Sequence, residues 1–337
     1  MKSPMRRARV SMRRAALIAG IGLMAACMPR LQPLGPQASA PQLQDHKFVA
    51  RDGDVLPVRI WLPEGEPKAV VLAVHGFNDY SNAFVEPANF WRRYGIATYA
   101  YDQRGFGNTG RRGFWPGVDV LADDAADMAR VLHGLYPKTP LYVVGESMGG
   151  AVASVMLASE PSLPVDGLVL CAPAVWTRDD MGPFHSGLLW LAAHSVPWMT
   201  VSGRGLDITP SDNTAMLRAL ARDPLIIKDT RIDTIYGLAD LMDAAMADAG
   251  KLHVPVLVLY GDHDEIIPRD PTIEFLARLE REDSQSYGAF YPKGYHMLFR
   301  DLGGETVMRD VESWIADMRA PLPSGAEAHA AQALAAR

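Results

Sequence analysis

Residues Gly145-Glu146-Ser147-Met148-Gly149 form a G-x-S-x-G pentapeptide, the stretch of this chain best suited to chemistry. It follows the apolar run Leu141-Tyr142-Val143-Val144 and precedes a small-residue stretch from Gly150 to about Ser159. Strand, sharp turn and helix in that order make a nucleophile elbow, which lifts the central hydroxyl clear of a sheet's carboxyl edge. Flanking glycines let the strand and helix backbones pass closely. The bare pattern also fits a serine in a glycine-rich turn, so its partners decide. A hydroxyl is a poor nucleophile until a base takes its proton, and the base needs an anion to orient it.

Behind such an elbow the acid and then the histidine follow the serine along the chain. Acids occur in Tyr260-Gly261-Asp262-His263-Asp264-Glu265, directly after an apolar run. A strand end presents a carboxylate at the catalytic edge, so Asp264 and, as the alternative, Asp262 are the candidate acids. Glu265 reads as part of a solvated turn. The candidate base is His296, within Tyr291-Pro292-Lys293-Gly294-Tyr295-His296-Met297-Leu298-Phe299. His263 could be a base, or a metal ligand beside Asp262 and Asp264, but three adjacent residues on one strand end cannot converge on one ion. The developing oxyanion needs donors. The Met148 N–H is one, and the Phe77 N–H in His75-Gly76-Phe77-Asn78 is the second candidate. Losing one such donor slows acyl transfer about 100- to 1,000-fold. This chemistry needs no cofactor and no metal, and the sequence has no dinucleotide fingerprint.

The elements that must position these groups alternate along the chain. Strand-like runs occur at 46–50, 55–62, 69–74, 96–101, 141–144, 166–171, 254–260 and 285–291. Helical periodicity occupies 88–94, 118–135, 271–282 and 305–319. Antiparallel strands first, then repeated β-α units, predict an α/β fold: a mostly parallel eight-stranded sheet with helices on both faces. The expected core is 45–174 with 251–319. Residues 175–250 break the rhythm. They read as a helical cap without a buried strand, inserted after the sixth strand. Phe184, Leu188, Leu189, Trp190 and Trp198 are candidates to line an access route for an acyl chain.

Together His75-Gly76, Asp102-Gln103-Arg104-Gly105-Phe106-Gly107, Gly145 to Gly150, Gly261 to Asp264 and Gly294-Tyr295-His296 resemble the monoacylglycerol lipase and lysophospholipase branch of the α/β-hydrolases, an S33 serine aminopeptidase-like group. The likeness covers roughly residues 45–319 and includes Arg222-Asp223-Pro224-Leu225 through Leu241, which look like the cap helices of that branch. The resemblance implies Ser147, Asp264 and His296 as a triad and the Phe77 and Met148 amides as the oxyanion hole. It implies a single-chain lipid ester, a monoacylglycerol or lysophospholipid, as substrate. A peptidase or amidase using the same triad is the alternative, and a non-catalytic binding lipoprotein is a third reading. Dehalogenase and epoxide hydrolase chemistry would place Asp where Ser147 stands.

The chain ends carry other signals. Arg6, Arg7, Arg9, Arg13 and Arg14 precede an apolar stretch from Ala15 to Ala26, then Leu23-Met24-Ala25-Ala26-Cys27 closes it with small residues. The stretch is too short for the ~20 residues of a membrane-spanning helix. Residues 1–27 therefore read as an export signal with a lipobox-like end, Cys27 becoming the lipidated residue. Met24 departs from the usual leucine, and Arg13-Arg14 hints at twin-arginine export, which the following residues fit poorly. The expected location is a bacterial membrane, facing the periplasm or exterior, with the membrane surface as a partner. Residues 28–44 read as a flexible tether, and 320–337 as a frayed tail. The remaining cysteine, Cys171, sits in an apolar run and reads as a small buried hydrophobe. With 337 residues and a net charge of −6, the chain lacks the basic face that nucleic-acid binding requires.

Overall fold

Strand β4 (Ala69–Val74) shows how the sequence builds two cores from one sheet. Val70, Leu72 and Val74 enter one apolar cluster, and Ala69, Val71 and Ala73 enter another. Side chains alternate across a strand, so a run apolar at every position needs cover on both faces. The computed structural model describes residues 28–205, 207–279 and 285–335. The expected signal and Cys27 lie outside the described residues. Among these, no helix is long and apolar enough to cross a membrane.

The other strands are β1 (Gln42–Gln44), β2 (Lys47–Val49), β3 (Val55–Trp61), β5 (Ile96–Tyr101), β6 (Leu141–Glu146) and β7 (Gly167–Cys171). After them come β8 (Thr200–Ser202), β9 (Asp229–Arg231), β10 (Val256–Gly261) and β11 (Tyr287–Tyr291). The main sheet runs β1-β2-β3-β5-β4-β6-β7-β10-β11. The first three strands pair antiparallel, and β5 onward is parallel. Val74 aligns with Gly145, Glu146 with Cys171 and Gly261 with Tyr291, so β4, β6, β7, β10 and β11 end along one edge. Helices α1 (Val85–Trp91), α2 (Val118–Leu135) and α3 (Met148–Ser159) cover the two faces.

Several expectations need correction. The described sheet has nine strands, not eight. The extra one is β1, whose Leu43 pairs with Phe48. The cap accordingly follows the seventh strand, still the Gly167–Cys171 strand. The presumed tether is fastened: Gln32 N donates to Trp115 O at 2.8 Å, and Arg30 N donates to Asp233 Oδ2. The presumed tail forms a helix, α9 (Ala326–Ala335), after α7 (Arg269–Leu279) and α8 (Gly304–Ala316). Ala326 and Ala330 are buried, and α9 packs along β11, where Gly288 has no side chain to obstruct Ala330.

The insertion is also more varied than a helical lid. Helix α4 (Arg178–Ser195) starts with a Thr177–Asp180 capping box and kinks at Gly182-Pro183. Helix α5 (Thr214–Arg222) follows, and β8 and β9 form a two-stranded ribbon where no strand was expected. Helix α6 (Ile232–Asp248) sends Leu241, Met242 and Ala245 into the main core against α3. The outer cap is thus smaller than 175–250. Phe184 is 76% exposed, with Leu188, Trp190 and Leu191 also on the surface, so these side chains face outward.

Candidate active site

Ser147 occupies the turn between β6 and α3 with φ of 52° and ψ of −116°. A positive φ is unusual for a residue with a side chain and is held here by surrounding contacts. Ser147 N donates to Cys171 O at 2.9 Å, and Ser147 O accepts from Gly150 and Ala174. The flanking glycines are steric necessities. A Cβ on Gly149 would lie 2.0 Å from Val74 O, and one on Gly145 would lie 2.5 Å from Gly149 O. The pentapeptide therefore packs the start of α3 directly against the end of β4.

The loops after β10 and β11 bring the acid and base candidates together. His296 Nδ1 donates to Asp264 Oδ2 at 2.8 Å, and both side chains are shielded from solvent. Asp264 Oδ1 accepts from Ile266 N and Ile267 N at 2.8 and 2.9 Å. With Nδ1 donating, Nε2 of a neutral ring is the proton acceptor. Asp262, the alternative acid, instead meets His329 Nε2 of α9 at 2.8 Å. Glu265 accepts from Thr209 N of the insertion, and His263 stacks on Tyr295. Among the described residues, no group of His, Cys, Asp and Glu is arranged to hold a metal.

The turn after β4 runs beside the elbow. A Cβ placed on Gly76 would lie 3.4 Å from Ser147 Cβ and 4.0 Å from its Oγ. His75 is buried, donates from Nδ1 to Gly76 O, and accepts from Gln103 N on Nε2. Gln103 Nε2 returns a bond to His75 O at 2.7 Å. Burial lowers the His75 pKa and keeps the ring neutral. Among the described residues, neither the Phe77 N–H nor the Met148 N–H is used in a backbone hydrogen bond outside regular elements. Asn78 follows in a left-handed conformation, φ 63°. Its amide donates to Thr230 Oγ1 at 2.7 Å, and its carbonyl accepts from Ile227 N. The insertion is thereby clipped onto the turn after β4.

The loop carrying His296 is tied to the elbow by Arg300, which donates to Glu146 Oε1 at 2.9 Å. The same guanidinium reaches Asp79, two residues beyond Phe77. Sequence reading missed these three residues. One signal was available: Glu146 ends a strand otherwise apolar, and a charge in that place needs a partner. Nothing local pointed to Arg300 or Asp79.

The model of the family described as "serine aminopeptidase, S33" matches residues 65–303, more than half of the chain. The chain belongs to the serine aminopeptidase S33 family. Among proteins similar to this S33 chain is the monoacylglycerol lipase of Mycolicibacterium smegmatis, 26% identical over 276 residues, covering 80% of this chain and 96% of that protein. The monoglyceride lipase of Mus musculus is 28% identical over 307 residues, covering 86% and 99%. A solved soluble variant of monoglyceride lipase from Saccharomyces cerevisiae, in complex with a substrate analog, superposes with a TM-score of 0.69 at 22% identity, covering 86% of this S33 chain and 98% of that one. That superposition establishes the α/β-hydrolase fold.

Proposed function

We propose that the protein is a serine hydrolase of carboxylic esters, acting on monoacylglycerols or similar single-chain lipid esters. The deciding observation is the Asp264–His296 pair at the sheet edge that also bears Ser147 on its strained turn. His296 Nε2 takes the Ser147 proton as Oγ attacks the ester carbonyl. The oxyanion rests on the Phe77 and Met148 amides. His296 then protonates the leaving alcohol and activates water to release the acid. Asp264 holds the ring's tautomer and stabilises its cation. No hydrogen bond joins Ser147 Oγ to the ring among the described contacts. A nucleophile–base contact of this kind commonly tightens only when substrate binds.

The lipid preference is supported by the lipases among the relatives and by apolar side chains exposed on the insertion. An aminopeptidase reading, suggested by the family's description, requires carboxylates placed to hold a substrate amine. Ser147→Ala should abolish turnover of p-nitrophenyl acyl esters in a folded protein. Parallel assays with acyl esters and aminoacyl arylamides separate the two chemistries. Faster arylamide cleavage would replace the ester reading.

Export and anchoring through Cys27 belong to the same proposal. Arg30 is fastened to Asp233, and the neighbouring Ile232 donates its N–H to Met199 O, in a surface stretch where Trp198, Met199 and Val201 are exposed. Apolar side chains grouped on a surface favour contact with lipid. Detergent-phase partitioning tests it: wild type should enter the detergent phase, and Cys27→Ser should stay in water.

A further inference from the structure

Three charged side chains with no part in proton transfer are buried behind the elbow. Arg300 Nη1 donates to Asp79 Oδ2 at 2.7 Å, and Nη2 donates to Glu146 Oε1 at 2.9 Å. The side chains of Arg300, Asp79 and Glu146 are 7%, 8% and 2% exposed. Burial alone would loosen the Arg300 proton, but the two carboxylates outweigh it and hold the guanidinium charged. Stability is a poor reason to keep such a group. Buried ion pairs and triads can often be replaced by apolar side chains without loss. This one also leaves Arg300 Nε and Glu146 Oε2 buried without partners among the described residues, which a group serving stability alone would avoid.

The places of the three residues suggest another reason. Glu146 adjoins Ser147 at the end of β6. Asp79 is two residues beyond Phe77, in the turn after β4. Arg300 is four residues beyond His296, in the loop after β11, and its carbonyl accepts from Asn213 Nδ2 at the start of α5. Each loop bears one reacting group, and each hangs from a different strand. A guanidinium is flat and forked, so it fixes two carboxylates at a set separation and angle, which an ammonium cannot do.

We propose that Arg300 is a positioning residue. Its fork sets the spacing of the elbow, the oxyanion turn and the base loop, and so aligns Ser147 Oγ, the Phe77 amide and His296 for the transition state. This rests on the proposed ester-hydrolase site. A displacement of about 1 Å in such a constellation can slow turnover roughly 100-fold. An alignment fault lowers kcat while leaving ground-state binding intact.

The test uses the full chain and two variants, Arg300→Lys and the charge-free Asp79→Asn/Glu146→Gln/Arg300→Met. A fluorophosphonate is first applied to wild type. Absence of an adduct on Ser147 would defeat the parent reading rather than this one. Thermal melting, kcat, KM and the affinity of an acyl trifluoromethyl ketone, which forms a tetrahedral adduct, are then measured. Arg300→Lys should stay folded with KM within about threefold, while kcat and ketone affinity fall together by roughly tenfold or more. The charge-free variant should lose roughly 100-fold in kcat while folded. A kcat within about threefold of wild type in either folded variant would overturn the proposal. If the charge-free variant does not fold, Arg300→Lys decides alone.

Discussion

Asp264 Oδ2 accepts the Nδ1 proton of His296 at 2.8 Å, while its second oxygen is held by the Ile266 and Ile267 amides. The carboxylate cannot turn away, so the ring has one orientation and one tautomer. Replacing Asp264 by Asn keeps the shape but invites the wrong tautomer. Asp264→Asn is expected to lower kcat about 10,000-fold. Asp262→Asn should change kcat by less than about threefold, because Asp262 meets His329 instead. Steady-state assays on p-nitrophenyl esters compare them, and equal losses would count against Asp264 as the acid.

Gly149→Ala should damage the fold and the elbow together. Its methyl would sit 2.0 Å from Val74 O, which is backbone and cannot swing aside. Forced shifts of this kind destabilise by about 1–3 kcal/mol or more. Urea unfolding measures the loss, and fluorophosphonate labelling of Ser147 should slow in parallel. Unchanged stability would mean that β4 and α3 can separate freely.

Asn78 couples backbone conformation to the insertion. Asn78→Gly keeps the left-handed backbone and loses only the Thr230 bond, at about 1 kcal/mol. Asn78→Val adds left-handed strain, for about 2–3 kcal/mol in all. Thr230→Val should add nothing further in the Asn78→Gly background. A double-mutant cycle giving strict additivity would deny the coupling.

His75 gives stability a pH dependence. Burial lowers its affinity for protons below the ordinary value of 6.5. Below that pH the unfolded chain therefore binds more protons than the folded one. This contribution is complete above about 6.5 and is lost as the pH falls toward the depressed folded value, by at most about 1.4 kcal/mol per pH unit. Urea midpoints between pH 7.5 and 5.5 should decline in wild type and decline less steeply in His75→Gln. Parallel slopes would assign the effect elsewhere.

Cys171 is buried on β7, and burial raises its thiol pKa well above the ordinary range. A protonated, enclosed thiol reacts slowly. Iodoacetamide should leave it unmodified in the native protein and label it after urea denaturation. Rapid native labelling would mean that β7 opens.

The Ser147 turn and the loops carrying Asp264 and His296 were legible because each is set by a few adjacent residues. Gly145 must be glycine for local reasons, since a Cβ there would meet Gly149 O, and Asp264 follows its strand by three residues. What escaped depended on distant partners. The Ala-rich segment 326–335 has little apolar face of its own. It is ordered because Gly288 leaves room for Ala330 and Asp262 offers His329 an acceptor. The Pro- and Gln-rich segment 28–44 resembles a linker, yet Trp115 supplies an acceptor for Gln32, and β2 supplies a partner for Leu43. Arg300 shows no pattern in one dimension, since its two acceptors lie 221 and 154 residues away.

The fastening of Arg30 and Gln32 also has a mechanical side. A pull on the amino terminus would be borne first by Asp233 and Trp115, and only afterwards by the three-residue edge strand at Gln42–Gln44. Trp115 is wedged against Gly237 and touches the Phe77 ring, so strain arriving there is shared between insertion and sheet. The load path thus meets the insertion and the turn after β4 before it meets the frame that carries the hydroxyl.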